Sequence, residues 1–323
     1  MTVLRPLDRW WMWRLGPQPL AFFRVLMGLF ATVYLVIRWP SITASTSFEA
    51  RQFEPIGVTH LAGEPLAAWA LYALLLATIA SGVAFTLGWR HAINGPLFAV
   101  LLLFVLTYRN SWGQVFHTEN LLVLHTLVLG LVPAADALSL DARRRALPAR
   151  SALAYGWPLR LCALITVITY LITGVAKLET SGIAWVTDDI LRIHVAYDNL
   201  RKEMLGDYSS PFGTWLVGHG WVFPPLAALT ILVEAGAPAA LLGRRIALAW
   251  AAAAWAFHAG VLATMTILFA YPLLGLAFLP LFGWDGRQVV EPARRLGRAA
   301  RGATRTANRS EPSPPAGTWR GEP

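Results

Sequence analysis

Long apolar runs recur along this chain, and they limit what it can fold into. Several of them approach the roughly 20 residues that an α-helix needs to cross about 30 Å of hydrocarbon. Hydrophobic residues make up 56% of the sequence and charged residues only 14%, whereas soluble domains carry about 25% charged residues. One soluble core cannot absorb this much apolar surface, but a bilayer can. The sequence therefore predicts an all-α, polytopic membrane helix bundle.

The apolar runs predict about eight membrane spans. The fourth run is short and the last two are joined by almost no loop, so seven spans or a re-entrant pair are alternatives. Pro272 is expected to bend the last span. The predicted spans cover residues 20–39, 66–88, 93–108, 120–133, 158–175, 222–242, 246–262 and 264–282.

Arginines are distributed between the loops as the positive-inside rule describes. With the N-terminus in the cytoplasm, the arginine-rich segments at 5–14, 143–150 and 244–245 and the basic tail all lie on the cytoplasmic side. The opposite segments mix cations with acidic residues. An even number of spans with both termini in the cytoplasm fits best, and we expect a multi-pass protein of the bacterial inner membrane. This distribution accounts for the formal net charge of +9 without nucleic-acid binding.

The chain divides into three expected parts. Residues 1–19 form a cytoplasmic segment, residues 20–285 the transmembrane domain, and residues 286–323 a basic, largely disordered cytoplasmic tail with a short helix at 289–301. A long loop at about 176–221 separates the fifth and sixth spans. Its stretch 188–205 places apolar residues among charges, which predicts a helix lying on the membrane surface.

Lys177 stands at the end of the fifth predicted span, between a Thr173-Gly174 pair and Trp185. Ionisable groups at membrane depth are energetically expensive and are the default candidates for a functional site. A lysine held away from water can act as a base. Its ammonium can also reach the interface, where Glu179 is nearby. Position alone favours the interfacial lysine.

Glu234 and His258 lie in two consecutive predicted spans that are joined at Arg244-Arg245. Adjacent antiparallel helices with a short connection bring side chains of similar depth together. The two residues can form an interhelical hydrogen bond that only stabilises packing, worth about 1 kcal/mol. They can equally orient a substrate, and the sequence supports both interpretations to the same degree.

A third polar group precedes and opens the fourth predicted span, in residues 109–125. It places His117 and Asn120 where they could form a pocket at the outer mouth, although a loop that satisfies its own hydrogen bonds is the favoured alternative. Two spaced histidines with one glutamate do not specify a metal site, and none is expected. Arg24, in the first span, is a candidate partner of Glu234 or of an anionic headgroup.

Four short motifs occur in order along the chain. Together they resemble the horizontally transferred transmembrane (HTTM) domain, which includes the membrane region of vitamin K-dependent gamma-carboxylases and many bacterial relatives. The resemblance covers about residues 18–285. The motifs are Arg24 with Gly28; Asn120-Leu121, Pro133 and Ser139-Leu140-Asp141; Tyr170, Thr173-Gly174, Lys177-Leu178 and Trp185; and Phe257-His258 with Phe269, preceded by Glu234.

The resemblance implies that Lys177 deprotonates a reduced quinol, which would make a vitamin K-like quinone the cofactor. In the carboxylases the oxygenated quinone then removes a glutamate γ-proton, and carbon dioxide adds. The catalytic candidates are Lys177, Glu234 and His258. The substrate-binding candidates are His117, Asn120, Arg24 and Trp185.

Two hypotheses of different kinds follow. The leading one is a quinol- or lipid-linked membrane enzyme similar to the carboxylases, with the bilayer and a quinone or lipid ligand as its partners. The alternative is a non-catalytic lipid-binding or scaffold protein, in which the polar groups only fix helix packing. A transporter is less well supported, because no paired broken helices occur in corresponding halves of the sequence.

Overall fold

The computed structural model describes residues 10–144 and 150–283. Within these ranges the chain consists of helices and loops and contains no strand, so the predicted all-helical class is confirmed there. The arginines before Trp10 and the predicted basic tail, with its helix at 289–301, lie outside the described residues.

Helices of very different length make up the described part of the chain. Short turns of 3-10 helix occur at Ala44–Ser47, Ala50–Gln52, Gly57–Leu61, Gly220–Val222, Ala237–Leu241 and Leu276–Leu281. The α-helices are α1 Pro17–Thr43, α2 Ala68–Leu87, α3 His91–Asn110, α4 Asn120–Leu131, α5 Leu140–Arg144, α6 Leu153–Ser181, α7 Ala184–Thr187, α8 Ile190–Met204, α9 Pro211–Val217, α10 Phe223–Ala235, α11 Arg244–Met265 and α12 Ala270–Leu273.

The first four long helices pack in chain order, and local sequence explains where they begin and end. Pro17 occupies the first turn of α1, where its missing N–H costs nothing. Gly88 ends α2 in the left-handed conformation, with φ of 61°, which glycine adopts without strain. The chain then reverses at once into α3. Buried apolar side chains such as Phe85 and Phe98 fill the interface between α2 and α3.

Among the described residues, five helices are long and apolar enough to cross a membrane: α1 with the turn that follows it, α2, α3, α6 and α11. A sixth is added if α9 and the segment Gly220–Ala235, which are bent by 97° at their junction, count as one span. The predicted number of about eight spans is therefore not confirmed. The fourth predicted span is the helix α4, whose 12 residues rise only about 18 Å.

The last predicted span, at 264–282, is not one helix. It contains the single turn α12, and after Gly275, whose φ is 75°, a 3-10 helix that includes Pro280. Proline cannot donate to a helical ladder, and glycine with positive φ ends one. The sixth predicted span divides in a similar way, into α10 and the 3-10 helix Ala237–Leu241.

The helix predicted at 188–205 is confirmed as α8. Together with α9 it forms a small separate cluster in which Val195 and Leu216 pack against Phe223 at the start of α10. This cluster lies at the end of the bundle where α6 ends and α10 begins.

Candidate active site

Lys177 and Glu234 form an ion pair between α6 and α10. The Lys177 Nζ lies 2.5 Å from both carboxylate oxygens of Glu234. Only 3% of the Glu234 side chain is exposed, compared with 19% of the Lys177 side chain. The structure thus joins two candidate residues that are 57 positions apart in the chain. Glu179, the nearby carboxylate considered from the sequence, is exposed instead.

A glycine allows the two helices to approach this closely. Gly174 lies one turn before Lys177 on α6. A Cβ at this position would come within 2.5 Å of the backbone nitrogen of Ala235 and 2.9 Å of the Glu234 Cβ. Small residues at helix contacts let membrane helices pack at short range. Gly174 therefore sets the distance across which Lys177 reaches its partner.

Aromatic rings flank the Lys177 ammonium. Its Nζ lies 5.1 Å from the ring centroid of Trp185 and 5.8 Å from that of Phe257, both within the range of cation–π attraction. Trp185 is held by its indole N–H, which donates to Thr230 Oγ1 at 3.1 Å. The tryptophan that follows the lysine in the sequence is therefore part of the lysine's surroundings.

His258 joins this group through Tyr170. Its Nε2 lies 2.6 Å from the Tyr170 hydroxyl, and both side chains are buried. The Tyr170 ring also packs edge-on against Trp250, whose indole N–H donates to the Val233 carbonyl at 2.9 Å. In the described part of the chain His258 hydrogen-bonds to Tyr170 rather than to Glu234, and its Nδ1 has no partner there.

His117 and Asn120 lie at the start of α4, and both are exposed. The His117 ring is 5.3 Å from the ring of Phe269, which in turn is 4.7 Å from the ring of His258. The backbone N–H of Asn120 donates to the His117 carbonyl at 3.3 Å. One phenylalanine therefore connects the exposed histidine of the polar loop to the buried histidine of α11.

Arg24 makes its contacts elsewhere in the bundle. Its guanidinium donates to the carbonyls of Phe85 at 2.7 Å, Thr86 at 3.1 Å and Leu138 at 2.6 Å, and the residue is fully buried. Two of these carbonyls belong to the last turn of α2, where helical acceptors lack partners. Arg24 therefore caps α2, and the ion pair with Glu234 that the sequence allowed is not formed.

The sequence matches the family model of the HTTM domain over residues 14–284. The chain belongs to the HTTM family. This confirms, at the level of the family, the resemblance carried by the four motifs. No curated protein and no solved structure matches the chain, so the family model alone supports the assignment. All of the candidate site residues fall within the matched range.

The HTTM domain holds other buried ion pairs, among them the pair between Arg109 and Glu119. Arg109 Nη1 lies 2.8 Å from Glu119 Oε1, and the two side chains are 8% and 7% exposed. The Tyr34 hydroxyl donates to the same carboxylate oxygen, and the guanidinium lies 4.1 Å from the ring centroid of Phe116. Sequence reasoning identified the polar loop but missed Tyr34, because a tyrosine within an apolar run is usually a packing residue.

The buried His125 has partners that sequence reasoning also missed. Its Nδ1 lies 2.5 Å from the Tyr271 hydroxyl, and its Nε2 lies 3.0 Å from the Cys162 carbonyl. Both ring nitrogens therefore have hydrogen-bond partners within the core. This arrangement is typical of a structural histidine.

Two cavities lie outside the Lys177 cluster. One of about 420 Å³ lies beside His91, Asp136 and Arg150, and one of about 10 Å³ lies beside Glu119. Lys177 lines neither of them. Within residues 10–144 and 150–283, no three His, Cys, Asp or Glu side chains gather as metal ligands.

Proposed function

We propose that this HTTM protein is a membrane enzyme that removes a proton from a lipophilic, quinol-like substrate at the Lys177–Glu234 pair. The observation that carries this proposal is the contact of Lys177 Nζ with both Glu234 oxygens inside a largely apolar bundle. The bilayer around such a bundle is the natural source of a lipophilic quinol.

Stability alone does not account for the pair. Taking two charges out of water costs several kcal/mol for each ion, and replacing a buried ion pair with apolar residues is often neutral or stabilising. An ionisable group inside a membrane is for this reason a functional candidate by default. The Lys177 side chain stays 19% exposed, which leaves part of it open to a ligand.

The pair accepts one proton as a unit. In its ionic form, the Glu234 carboxylate takes the proton as the substrate O–H bond breaks, and the Lys177 ammonium stabilises the oxyanion. If a proton first moves from Lys177 to Glu234, the neutral amine takes the substrate proton, as the carboxylase resemblance implies. Both routes end with an ammonium, a neutral carboxyl group and a substrate anion, so the pair is best treated as one coupled group.

The surrounding side chains suit a flat, lipophilic ring. Trp185 and Phe257 supply aromatic surfaces next to the ammonium. We propose that His258, held by Tyr170, orients the substrate, and that the exposed His117 and Asn120 contact its polar end. Arg24 is already occupied by backbone carbonyls and has no part in this step.

Lys177→Ala in the full chain, reconstituted in nanodiscs, tests the proposal. We expect loss of turnover with a reduced naphthoquinone in air, measured as epoxide formation per amount of folded protein recovered, because the unpaired Glu234 carboxylate also lowers stability. Glu179→Gln is the matched control, because Glu179 is exposed on the same helix, and it should keep wild-type turnover. Equal epoxide formation by the wild type and Lys177→Ala would exclude a role for Lys177 as base.

A second candidate function is that of a non-catalytic lipid-binding or scaffold protein. It is favoured by the way that Lys177 and Glu234 satisfy each other. In that case Glu234→Gln and His258→Ala lower only the thermal stability in detergent. Native mass spectrometry of the nanodiscs separates the two functions: a bound quinone supports the enzyme, and phospholipid alone supports the scaffold.

We further propose an inner-membrane location with both termini in the cytoplasm, and a membrane domain at 20–285 between the segments 1–19 and 286–323. The distribution of arginines supports this topology. Protease access to a C-terminal tag tests it. The tag should be cleaved in inverted membrane vesicles and protected in spheroplasts, and the opposite pattern would reverse the topology.

A further inference from the structure

Helix α8 carries a stripe of large apolar side chains that face away from the protein, in addition to Val195, which is buried. Ile193, Tyr197, Leu200 and Met204 are between 57% and 79% exposed. Their spacing of four, three and four residues places them in one stripe along the helix. The polar residues Asn199 and Lys202 are buried on the opposite side.

The polar side of α8 is fixed to the end of α11. Asn199 Nδ2 donates to the Thr264 carbonyl at 2.9 Å. Lys202 Nζ donates to the Met265 carbonyl and, at 3.0 Å, to Thr266 Oγ1. The last carbonyls of a helix lack helical partners and need such donors. These bonds determine which side of α8 points outward, so the fold itself imposes the exposure of the stripe.

Large aromatic side chains are also exposed on α9 and just before α10. Phe212, Trp215 and Trp221 are 50%, 58% and 77% exposed, and the first two rings stack at a centroid distance of 5.9 Å. Helix α9 is bent by 97° from the segment Gly220–Ala235. When that segment crosses a bilayer, α9 therefore runs along the membrane plane.

We propose that this surface inserts into the bilayer at the boundary between headgroups and acyl chains. The surface, called the apolar cap here, consists of Ile193, Tyr197, Leu200, Met204, Phe212, Trp215 and Trp221. This inference concerns membrane contact and does not rest on the proposed function.

Two observations indicate that the apolar cap contacts lipid. Trp221 of the cap lies with α10 in the segment Gly220–Ala235, which is one half of the bent candidate span, and Leu226 and Leu229 of α10 are 39% and 55% exposed. The cap also contains tryptophan and tyrosine, which are enriched at the membrane–water interface, where the hydrocarbon meets the headgroups. An exposed apolar patch of this kind marks a contact surface, and the neighbouring lipid-facing helix identifies the contact.

Fluorescent labels on the cap test the proposal. Tyr197→Cys and Leu200→Cys variants of the full chain carry bimane in nanodiscs, while the native Cys162 is fully buried. Glu203→Cys is the matched control, because Glu203 is exposed on α8 outside the stripe. We expect brominated phospholipids to quench the labels at 197 and 200, and aqueous iodide to leave them almost unchanged. The label at 203 should show the reverse.

Two results would overturn the proposal. Iodide quenching at 197 and 200 as strong as at 203 would place the stripe in water. Labels that neither quencher reaches, together with a dimer mass in native mass spectrometry, would assign the stripe to a second copy of this chain. If Tyr197→Cys lowers the yield, Met204→Cys provides a further position on the same stripe.

Discussion

Two buried ion pairs, Arg109–Glu119 and Lys177–Glu234, show how similar charges can serve different purposes in one bundle. Glu119 accepts hydrogen bonds from both Arg109 and Tyr34. In the described part of the chain, the side chains of Lys177 and Glu234 hydrogen-bond only to each other. The lysine is also more open, at 19% exposure against 8% for Arg109. The number of independent partners, rather than burial alone, separates the structural pair from the candidate site.

The largest effect on stability is expected at the Arg109–Glu119 pair. Glu119→Ala leaves the Arg109 guanidinium buried without its carboxylate and removes the acceptor of Tyr34, which should cost about 3–5 kcal/mol. Denaturant unfolding in detergent measures the loss. Glu49→Ala is the control, because Glu49 and its partner Arg51 are 64% and 82% exposed, and it should change stability by less than about 1 kcal/mol. Equal losses of stability in Glu119→Ala and Glu49→Ala would show that burial does not make the Arg109–Glu119 pair more important than an exposed pair.

Gly174→Ala is expected to have the next largest effect. The added Cβ meets the backbone of Ala235 at 2.5 Å, so α6 and α10 must separate at a cost of about 1–3 kcal/mol. Turnover should fall as well, because Lys177 and Glu234 move apart. Gly260→Ala on α11 is the control, since among the described residues no atom beyond its chain neighbours and its own helix backbone lies within 4 Å of its Cβ position. That change should stabilise the protein by up to about 1 kcal/mol, and losses of similar size at both glycines would contradict the packing argument.

Removing both charges of the Lys177–Glu234 pair tests whether the two ion pairs differ in purpose. The double variant Lys177→Met, Glu234→Gln should stay within about 1 kcal/mol of the wild type, because no unpaired charge remains. The matching double variant Arg109→Met, Glu119→Gln should lose more, since Tyr34 also depends on Glu119. Thermal unfolding and quinol turnover are measured together. Retained turnover in the first double variant would show that the pair has no chemical role.

The smallest effect is expected at Tyr170→Phe. This change removes the hydrogen bond to His258 but keeps the ring packed against Trp250, so it should cost about 1 kcal/mol. Tyr72→Phe, at a position that is 39% exposed, is the control and should change the free energy of unfolding by less than about 0.5 kcal/mol. If His258 orients the substrate through Tyr170, turnover falls in the first variant only. Unchanged turnover would leave Tyr170 as a packing residue.

The fold class could be predicted because apolar run length and sparse charge report directly on the surroundings of a helix. The 264–282 run shows the limit of this signal. Its composition is as apolar as that of a span, but Gly275 and Pro280 turn the chain into short helical pieces. Hydropathy measures what surrounds a segment and does not distinguish an α-helix from a 3-10 turn.

The candidate site could be predicted only as separate residues. Lys177 and Glu234 were both identified, because charges in apolar runs are rare, but their contact depends on the register of two helices far apart in the chain. That register follows from the close approach at Gly174, which no local pattern reports. Sequence proximity pointed to Glu179 instead, and Tyr170 was not selected as the partner of His258 because tyrosine is common in apolar runs.

The hydrogen bonds from Arg24 to the C-terminal end of α2 have a consequence for how the protein is made. Its three carbonyl acceptors lie 61, 62 and 114 residues later in the chain, so none of them has been synthesised when Arg24 itself is added. An arginine inside a membrane helix costs about 2.5–3.5 kcal/mol on insertion scales. A first helix inserted without its acceptors carries this cost, and the cost is offset once the three hydrogen bonds form. The guanidinium therefore reaches its final position only after α2 and the segment that contains Leu138 have been made.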